Sequence, residues 1–333
     1  MTVPKIKMAI AGLGHMGHYM IRLVQKEEYK QHITLVAICE SNEQSRRDCE
    51  AQYPELAYFA DYEALLAGVE FDLLYVAVPP AYHHDVVMAA LEKRIHVFCE
   101  KPLANSVEEA KQMLDKAKEA NVVHAIHFSL PHEPTMRTLK RKLDNGQIGA
   151  IRKIELVWRF PSWPRSWQHN SWISSRKQGG FVLEVGVHWI HVIQKLFGKV
   201  THVQSELELS EQADCCEIGV EAKLRLADGT PVSINGMSGF AGEERVSMII
   251  HGTNGTLAIE NWAQLLEGEI GQPLQVGEID EGTAPHTVFH YVMQAIRDHK
   301  SPLFDFQDGY DAQVVLEALR HPTTADWVDI REA

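Results

Sequence analysis

KMAIAGLGHMGHYM, Lys7–Met20, sets Gly12, Gly14 and Gly17 between a short apolar run and an amphipathic stretch. The apolar run predicts a buried strand, and the amphipathic stretch predicts a helix. At such a junction glycines allow a tight turn, close approach of the backbone to a pyrophosphate, and close packing of strand against helix. The free amides and the dipole at the helix N-terminus favour an anion. The stretch therefore predicts the first strand and helix of a nucleotide-binding unit; the alternative is a glycine-rich turn that binds nothing.

Apolar runs alternate with amphipathic stretches up to about residue 127. The runs predict strands at Ile6–Ala11, Ile33–Cys39, Asp72–Val78, Ile95–Cys99 and Val122–His127. The amphipathic stretches predict helices that include Met16–Lys26, Tyr82–Lys93 and Val107–Ala120. Ser106 and Glu109 form a capping-box pattern at the start of the last of these. Continuous apolar strands separated by helices are typical of a parallel sheet that is covered on both faces.

Beyond about residue 150 the pattern becomes a two-residue alternation. In CEIGVEAKLRLADGTPVSINGMSG, Cys216–Gly239, apolar residues from Ile218 to Leu226 alternate with charged residues that begin at Glu217. Asp228-Gly229 then marks a hairpin turn. Further strands are predicted at Val246–His251 and Leu257–Glu260, and helices at His286–His299 and Asp308–Arg320. This indicates a mostly antiparallel sheet with one polar face.

These patterns predict an α/β protein of two domains, as its 333 residues also favour. Residues 1–128 would form a Rossmann dinucleotide-binding domain. Residues 129–333 would form an α+β domain with a large, mostly antiparallel sheet that binds substrate and mediates oligomerisation. Because no flexible linker separates the two, a catalytic cleft between rigid lobes is expected.

Composition narrows the function. A net charge of -13 argues against nucleic acid as a partner, since nucleic-acid binding needs a basic surface. No apolar run approaches the roughly 18 residues of a membrane span, and Lys5–Ala11 reads as a first strand and not as a signal peptide. Five cysteines, an odd number without metal-ligand spacing, favour a reducing cytoplasm and predict no metal site.

Glu40 ends the second predicted strand, 23 residues beyond Gly17. A carboxylate at this position accepts hydrogen bonds from the adenosine ribose hydroxyls and repels a 2′-phosphate, so NAD is predicted in preference to NADP. Arg46 and Arg47 follow closely and could in principle serve a phosphate. The better interpretation is that Glu43 and Arg47, four residues apart, pair on a helix surface.

HVFCEKPLA, His96–Ala104, puts Glu100 and Lys101 directly at the end of a buried strand. Together with GLGHMG and GGFVLEVGVHWIH, this run makes the sequence resemble the Gfo/Idh/MocA oxidoreductase family, which includes glucose–fructose oxidoreductase, inositol dehydrogenase and related sugar dehydrogenases. The resemblance covers essentially the whole chain and includes VAVPPAYHHDVVMAALEKRIHVFCEKPLA and FQDGYDAQVVLEALRH. These motifs specify the family and say little about the substrate.

The resemblance implies that Lys101 projects beside the nicotinamide and contacts the substrate oxygen, with Glu100 close to the cofactor. A surface ion pair at a strand end is the alternative. His83 matches a histidine common in the family after the fourth strand, although Pro80 stands where relatives often have Asn. The residues expected to bind the cofactor are Gly12, Leu13, Gly14, His15, Met16, Gly17, Glu40, Val78, Pro79, His83, Glu100 and Lys101.

The same resemblance assigns His188 as the catalytic histidine. Glu184 and His188 are four residues apart and would share one helix face, with Gly186 leaving space for a ligand. A neutral histidine suits proton abstraction from an alcohol, and an ammonium at Lys101 would stabilise the developing oxyanion. Glu184 would orient either group. Glu184 and His191 replace family aspartates, and His191 is either a supporting hydrogen-bond donor or a packing residue.

A further departure lies in HFSLPHEP, residues 127–134, where relatives often carry Asn-Arg-Arg, so a polar anchor near the substrate is expected to be missing. VWRFPSWPRSWQHNSWISSRK, Val157–Lys177, concentrates tryptophans that could stack on sugar rings and cations that could hold a carboxylate or phosphate. Alternatively the tryptophans wedge the domains or a subunit contact. The candidate substrate residues are Trp163, Arg165, Trp167, Trp172 and His191.

The sequence thus predicts an NAD(P)-dependent oxidoreductase that acts on a secondary hydroxyl or ketone of a sugar, cyclitol or sugar acid. A homodimer or homotetramer is expected from the resemblance, with the polar sheet face as the contact. Two alternatives stay open: an NAD-dependent lyase or hydrolase that oxidises a sugar transiently, and a non-catalytic NAD-binding regulator of the same fold.

Overall fold

The computed structural model describes residues 4–280, 287–298, 301–321 and 324–331. Its internal contacts divide the chain into two compact units. The first is Met1–His127 with Val288–Tyr310, and the second is Phe128–Thr287 with Asp311–Ala333. Across the described ranges no helix is both long enough and apolar enough to cross a membrane.

The first unit contains a six-stranded sheet, which confirms the predicted parallel architecture. Its strands are β1 Ile6–Ala11, β2 Ile33–Cys39, β3 Ala57–Phe59, β4 Leu73–Val76, β5 His96–Cys99 and β6 His124–Ile126. All pairs are parallel, in the order β3-β2-β1-β4-β5-β6. The four residues of β4 are fully buried. A central strand covered on both faces has no polar side, which explains its continuous apolar sequence.

Helices follow the strands of this sheet. They are α1 His15–Val24, α2 Glu27–Lys30, α3 Glu43–Gln52, α4 Tyr62–Gly68, α5 His83–Glu92 and α6 Val107–Ala120. The predicted cap of α6 forms, because Ser106 Oγ accepts a hydrogen bond from Glu109 N at 3.2 Å. The return bond differs from the expected capping box: the Glu109 carboxylate accepts from Asn105 N.

The second unit holds a nine-stranded sheet, which confirms the predicted antiparallel character. Its strands are β7 Ile151–Phe160, β8 Val200–Leu209, β9 Glu217–Leu226, β10 Pro231–Ser238, β11 Arg245–Gly252, β12 Gly255–Glu260, β13 Gln264–Glu269, β14 Gln275–Val276 and β15 Thr324–Asp329. The pair β7 and β10 is parallel and the other pairs are antiparallel. The helices are α7 Pro134–Asp144, α8 Phe181–Glu184 and α9 Gly186–Phe197. The predicted hairpin joins β9 to β10, with Gly229 at φ +89°.

The predicted inward position of Ile218 is wrong. Ile218 is 37% exposed, whereas Glu217 is 4% exposed. The register between β8 and β9 shifts at Glu208 and Leu209, and this irregularity inverts the alternation at the start of β9. From Val220 onward the expected alternation holds.

Two helices close the described chain, α10 Val288–Asp298 and α11 Phe306–Arg320. The predicted helix ran from His286 to His299, and both of these end residues lie outside the described residues. Apolar residues of α10 join the core that contains β1 and α1, and the Phe289 and Tyr29 ring centroids are 5.3 Å apart. The structure therefore places this segment in the first unit, whereas the sequence predicted one uninterrupted second domain over residues 129–333. The boundary between the two units falls within α11.

Candidate functional site

The glycine turn between β1 and α1 is built by close backbone contacts. Gly12 has φ +100°, and a Cβ there would lie 2.5 Å from Ala77 O. A Cβ on Gly17 would lie 2.0 Å from Gly12 O. These two glycines are required because β4 and α1 pack directly against the turn. A Cβ on Gly14, in contrast, would meet no described atom within 4 Å.

The N-terminus of α1 suits an anion. Gly14 and His15 are exposed and Met16 is half-buried, whereas Leu13 lies in the core. Among the described residues no side chain caps this helix start. Backbone amides at an uncapped N-terminus attract phosphate oxygens, and Gly14 leaves room for close approach. The turn therefore fits a dinucleotide diphosphate.

Glu40 is tied to the same turn. Its carboxylate accepts hydrogen bonds from Leu13 N and from Asn42 N, each at 2.7 Å. Arg46 donates to the backbone oxygen of Glu40 at 2.7 Å, and Arg47 pairs with Glu43 as the sequence predicted. Two backbone donors leave further lone pairs on the carboxylate, so Glu40 can still accept from a pair of hydroxyls.

His83 is 1% exposed and lies between two loops at the carboxyl ends of β4 and β5. Its Nδ1 is 2.9 Å from Pro102 O and its Nε2 is 2.9 Å from Val78 O. Burial lowers the pKa of His83, although the carbonyls partly oppose this. A neutral ring donates from one nitrogen only. His83 thus holds the Val78–Pro79 loop against the segment that follows Lys101, and its own nitrogens face protein carbonyls.

Glu100 is the centre of a buried cluster that sequence reasoning missed. Its Oε1 accepts from the Tyr75 hydroxyl and lies 2.5 Å from His127 Nδ1. Tyr75 is on β4, Glu100 follows β5, and His127 follows β6. The sequence did contain a signal for this cluster. The carboxyl ends of parallel strands meet at one edge of a sheet, so polar residues near the ends of neighbouring strands lie close together there. His127 is the first residue of HFSLPHEP and contacts Glu100. The expected absence of a polar substrate anchor in that segment stays a prediction.

The segment with Glu184 and His188 is two helices and not one. Glu184 ends α8, Val185 separates the helices, and His188 lies in the first turn of α9. The space expected beside Gly186 is filled, because a Cβ there would lie 3.0 Å from the Trp158 ring. Glu184 and His188 are both half-buried.

Trp262, which sequence reasoning also missed, lies beside His188. The two rings are 5.7 Å apart at 88°, and Trp262 also packs on Trp189 at 5.3 Å. Trp262 has φ +73° in the turn between β12 and β13. A tryptophan in the left-handed region is strained, and such strain is concentrated at functional sites. The sequence signal was weak: an aromatic residue in ENWAQ between two strands.

His191 is 2% exposed and its ring stacks on Phe128, with centroids 3.9 Å apart at 16°. Burial holds the pKa of His191 well below its usual range. The stack on Phe128 shows that His191 is a packing residue. A neutral ring keeps one N–H donor, so a supporting hydrogen bond, the other alternative left by the sequence, stays a prediction.

Glu217 supports the start of α8. It is buried, and its carboxylate accepts from Val182 N at 2.7 Å. A Cβ on Gly180 would lie 2.3 Å from Glu217 Oε2, and one on Gly179 would lie 2.2 Å from Ile173 O. Burial raises the pKa of Glu217. The glycine pair of GGFVLE therefore fits α8 closely against β9 and against the loop before it.

The candidate substrate residues of the tryptophan-rich loop lie in the second unit. Trp163 is half-buried and its Nε1 donates to Ile173 O at 3.3 Å. Arg165 makes a bidentate pair with Glu244 at 2.9–3.1 Å. Trp167 is 61% exposed, and Trp172 is half-buried. Lys101 belongs to the first unit, and Glu184 and His188 to the second.

Comparison with protein families identifies both units. Residues 6–128 match the model described as an oxidoreductase family with an NAD-binding Rossmann fold, and residues 136–258 match the GFO/IDH/MocA C-terminal domain. These two matches cover most of the chain.

Individual relatives are more distant. An uncharacterized oxidoreductase of Schizosaccharomyces pombe is 27% identical over 218 residues, which cover 65% of this chain and 58% of that protein. The chain thus spans less than two thirds of that relative. Levoglucosan dehydrogenase of Pseudarthrobacter phenanthrenivorans is 23% identical over 327 residues, covering 81% and 83% of the two chains. A structure of levoglucosan dehydrogenase in complex with NADH superposes with a TM-score of 0.84 at 20% identity, covering 99% and 100%. At that identity the likeness establishes the fold.

Substitutions at two glycines of the turn are expected to distinguish an effect on stability from an effect on cofactor binding. Gly14→Ala should leave the unfolding temperature nearly unchanged, because the added methyl meets no described atom and φ is −70°. It should weaken NAD binding by about tenfold or more, because the methyl occupies the path of the diphosphate. Calorimetric titration and thermal unfolding measure the two effects. Gly12→Ala is the contrasting variant and should lower stability itself; unchanged NAD affinity in Gly14→Ala would contradict the assignment.

Proposed function

This chain belongs to the GFO/IDH/MocA oxidoreductase family, and from that premise we propose that it is an NAD-dependent dehydrogenase of sugar-like compounds. The reaction would interconvert a secondary hydroxyl and a ketone. The observation that carries the proposal is the contact of the Glu40 carboxylate with Leu13 N, because it fixes an acid beside the glycine turn, where the adenosine ribose of NAD would lie. The chemistry then follows from the residues that each unit supplies.

NAD is favoured over NADP by charge. Glu40 accepts from two backbone amides, so the carboxylate is held in place and presents a fixed negative charge. A ribose diol can donate to it, whereas a 2′-phosphate would be repelled. Arg46 donates to the Glu40 backbone oxygen, and the Arg47 charge is paired with the Glu43 carboxylate within α3.

When bound, NAD supplies the nicotinamide that takes up a hydride from the substrate carbon. We assign Lys101 as the donor that stabilises negative charge on the substrate oxygen, and His188 as the base that removes its proton. Glu184, four residues before His188, would orient these groups. Val78 and Pro79 would border the nicotinamide end of the site, with His83 holding their loop in place.

The cations of the tryptophan-rich segment 157–177 leave both neutral and acidic sugars as candidate substrates. The cations of the tryptophan-rich loop already bind acceptors within the unit: Arg159 binds Asn235 O at 2.8 Å, Arg165 binds Glu244, and Arg176 binds Cys215 O at 3.1 Å. Of these three cations, Arg165 alone is paired with a carboxylate, so Arg159 and Arg176 keep a charge that can attract a substrate carboxylate or phosphate. One relative carries the name levoglucosan dehydrogenase, so sugar derivatives are the first compounds to test.

The substrate can be sought through stability. A bound ligand raises the unfolding temperature by mass action, so thermal unfolding with NAD and a panel of anhydrosugars, glycosides, cyclitols and sugar acids identifies the class. Net NADH formation with the compound that binds supports the dehydrogenase. Product formation without net NADH would favour transient oxidation, and binding without turnover would favour a non-catalytic regulator.

We also propose a homodimer or homotetramer that uses the outer face of β8–β10. Charged residues of β9 lie on this side beside exposed Ile218 and Met237, which are 37% and 43% accessible. The exposed apolar side chains favour a contact on this face, whereas the charged neighbours are costly to bury at its centre. Met237→Lys should shift sedimentation toward a smaller species. A concentration-independent monomer for the unmodified chain would reject the proposal.

Cofactor choice has a direct test. Glu40→Ser should narrow the preference for NAD over NADP by about tenfold, because the repulsion is removed and no cation is added. Affinities for both cofactors, measured by titration, give the ratio. Glu50→Ser, an exposed glutamate near the far end of α3, is the matched control and should leave the ratio unchanged. Tighter binding of NADP than of NAD by the unmodified chain would end the assignment.

The catalytic assignment predicts losses in turnover without losses in cofactor binding. Lys101→Ala should lower kcat roughly 100- to 1,000-fold, as for an oxyanion donor. His188→Ala should lower it by about 100- to 10,000-fold, with partial recovery at high pH where hydroxide replaces the base. The double variant should lose far less than the product of the two losses, because the groups act together.

Exposed residues of the same types serve as controls. Lys93→Ala and His321→Ala change a lysine and a histidine on the surface and should keep normal turnover. Steady-state kinetics on the identified substrate and NAD titration supply the measurements. Near-normal turnover in both Lys101→Ala and His188→Ala would refute the mechanism.

A further inference from the structure

The Glu100 carboxylate joins the ends of three neighbouring strands. Glu100 is 7% exposed, and its Oε1 accepts from the Tyr75 hydroxyl on β4. His127, directly after β6, places Nδ1 2.5 Å from the same oxygen. Since a carboxylate only accepts, both partners must donate to it. A buried acid with two fitted donors is a built feature of this sheet edge and not a surface ion pair.

The cluster maintains Glu100 as an anion. Burial alone would raise the pKa of Glu100. The electrostatic attraction of His127 and the hydrogen bonds from His127 and Tyr75 outweigh burial, so the pKa lies below its usual value. Burial first, and then the charge of Glu100, raises the pKa of Tyr75 well above its usual range. Tyr75 thus stays a neutral donor while Glu100 stays ionised at neutral pH.

Few other charges face this carboxylate. Lys101 follows it in sequence and lowers its pKa. Burial and Glu100 raise the pKa of the Cys99 thiol, which is therefore neutral. On the side of α1, the Tyr19 ring is 6.5 Å from the His127 ring, and the Phe98 ring is 4.9 Å from it. Among the described residues, the ionisable groups that interact with Glu100 also include the buried His83, beside Tyr75, Cys99, Lys101 and His127.

We propose that Tyr75 and His127 are positioning residues that keep Glu100 ionised, and that this fixed charge favours the oxidised, cationic nicotinamide over the reduced, neutral ring. The inference rests on the proposed function, which places the nicotinamide outside the carboxyl ends of the strands. Oxidised and reduced cofactor differ by one charge in that ring. A negative charge in a partly dry site therefore distinguishes the two forms by Coulomb attraction. Because a stabilised oxidised ring is a weaker hydride acceptor, the equilibrium on the enzyme shifts toward bound NAD and the hydroxyl form of the substrate.

The test is the ratio of two dissociation constants, Kd for NADH over Kd for NAD. Fluorescence and calorimetric titrations measure both for the unmodified chain, Glu100→Gln, Tyr75→Phe, His127→Asn and His127→Leu. Glu100→Gln removes the charge and should lower the ratio by about tenfold. His127→Asn keeps a donor and should lower it less than His127→Leu, and Tyr75→Phe should lower it moderately. His84→Asn, a histidine substitution on α5, is the control and should leave the ratio unchanged.

His127→Leu carries a pH signature that a merely structural role would not produce. Without His127, burial dominates and the pKa of Glu100 should rise. The carboxylate charge is then lost as pH falls through the raised pKa, so the ratio should fall toward that of Glu100→Gln at low pH and recover at high pH. If His127→Leu does not fold, His127→Asn and Tyr75→Phe still test the ranking.

The outcomes separate this inference from the proposed function. An unchanged ratio in Glu100→Gln, or equal weakening of both cofactors in every variant, would overturn the inference while leaving cofactor binding intact. Failure of the unmodified chain to bind either cofactor would instead overturn the proposed function. A lowered ratio in Glu100→Gln with the pH step in His127→Leu would establish the electrostatic role.

Discussion

The close approach of three backbone segments around Gly12 is the constraint on which the first unit depends. Gly12 lies against Ala77 at the end of β4, and Gly17 of α1 lies against the Gly12 carbonyl. No side chain fits at either place, so the turn, the neighbouring strand and the helix can meet only through glycine. The result is a helix N-terminus that opens at the carboxyl edge of the sheet, where an anion gains from amides and dipole together.

The same edge collects the polar groups that a parallel sheet excludes from its interior. Glu40 is held by backbone amides, His83 by loop carbonyls, and Glu100 by Tyr75 and His127. Each buried polar group is costly unless it is hydrogen-bonded. The bonds that meet this cost also fix the side chains in place, so stability and placement of the site have one origin.

In the second unit, close packing at glycine and backbone strain position the polar and aromatic side chains. Gly180 admits the Glu217 carboxylate to the start of α8, and an irregularity in β9 turns that acid inward. Trp262 adopts a left-handed backbone beside His188. Backbone strain of this kind costs about 1–3 kcal/mol and is retained where the surrounding packing determines it. The surroundings of the proposed base therefore depend on elements far from it in sequence.

The sequence by itself determined the two sheet types, the glycine turn, the acid at the end of β2 and the EKP segment, because each is a local pattern of periodicity or spacing. It did not reveal that Tyr75 and His127 meet Glu100, that Trp262 lies beside His188, or that Ile218 faces outward. Those facts depend on strand order, a register shift and a strained turn. Only tertiary structure decides them, because contacts between residues distant in sequence follow from how whole strands align.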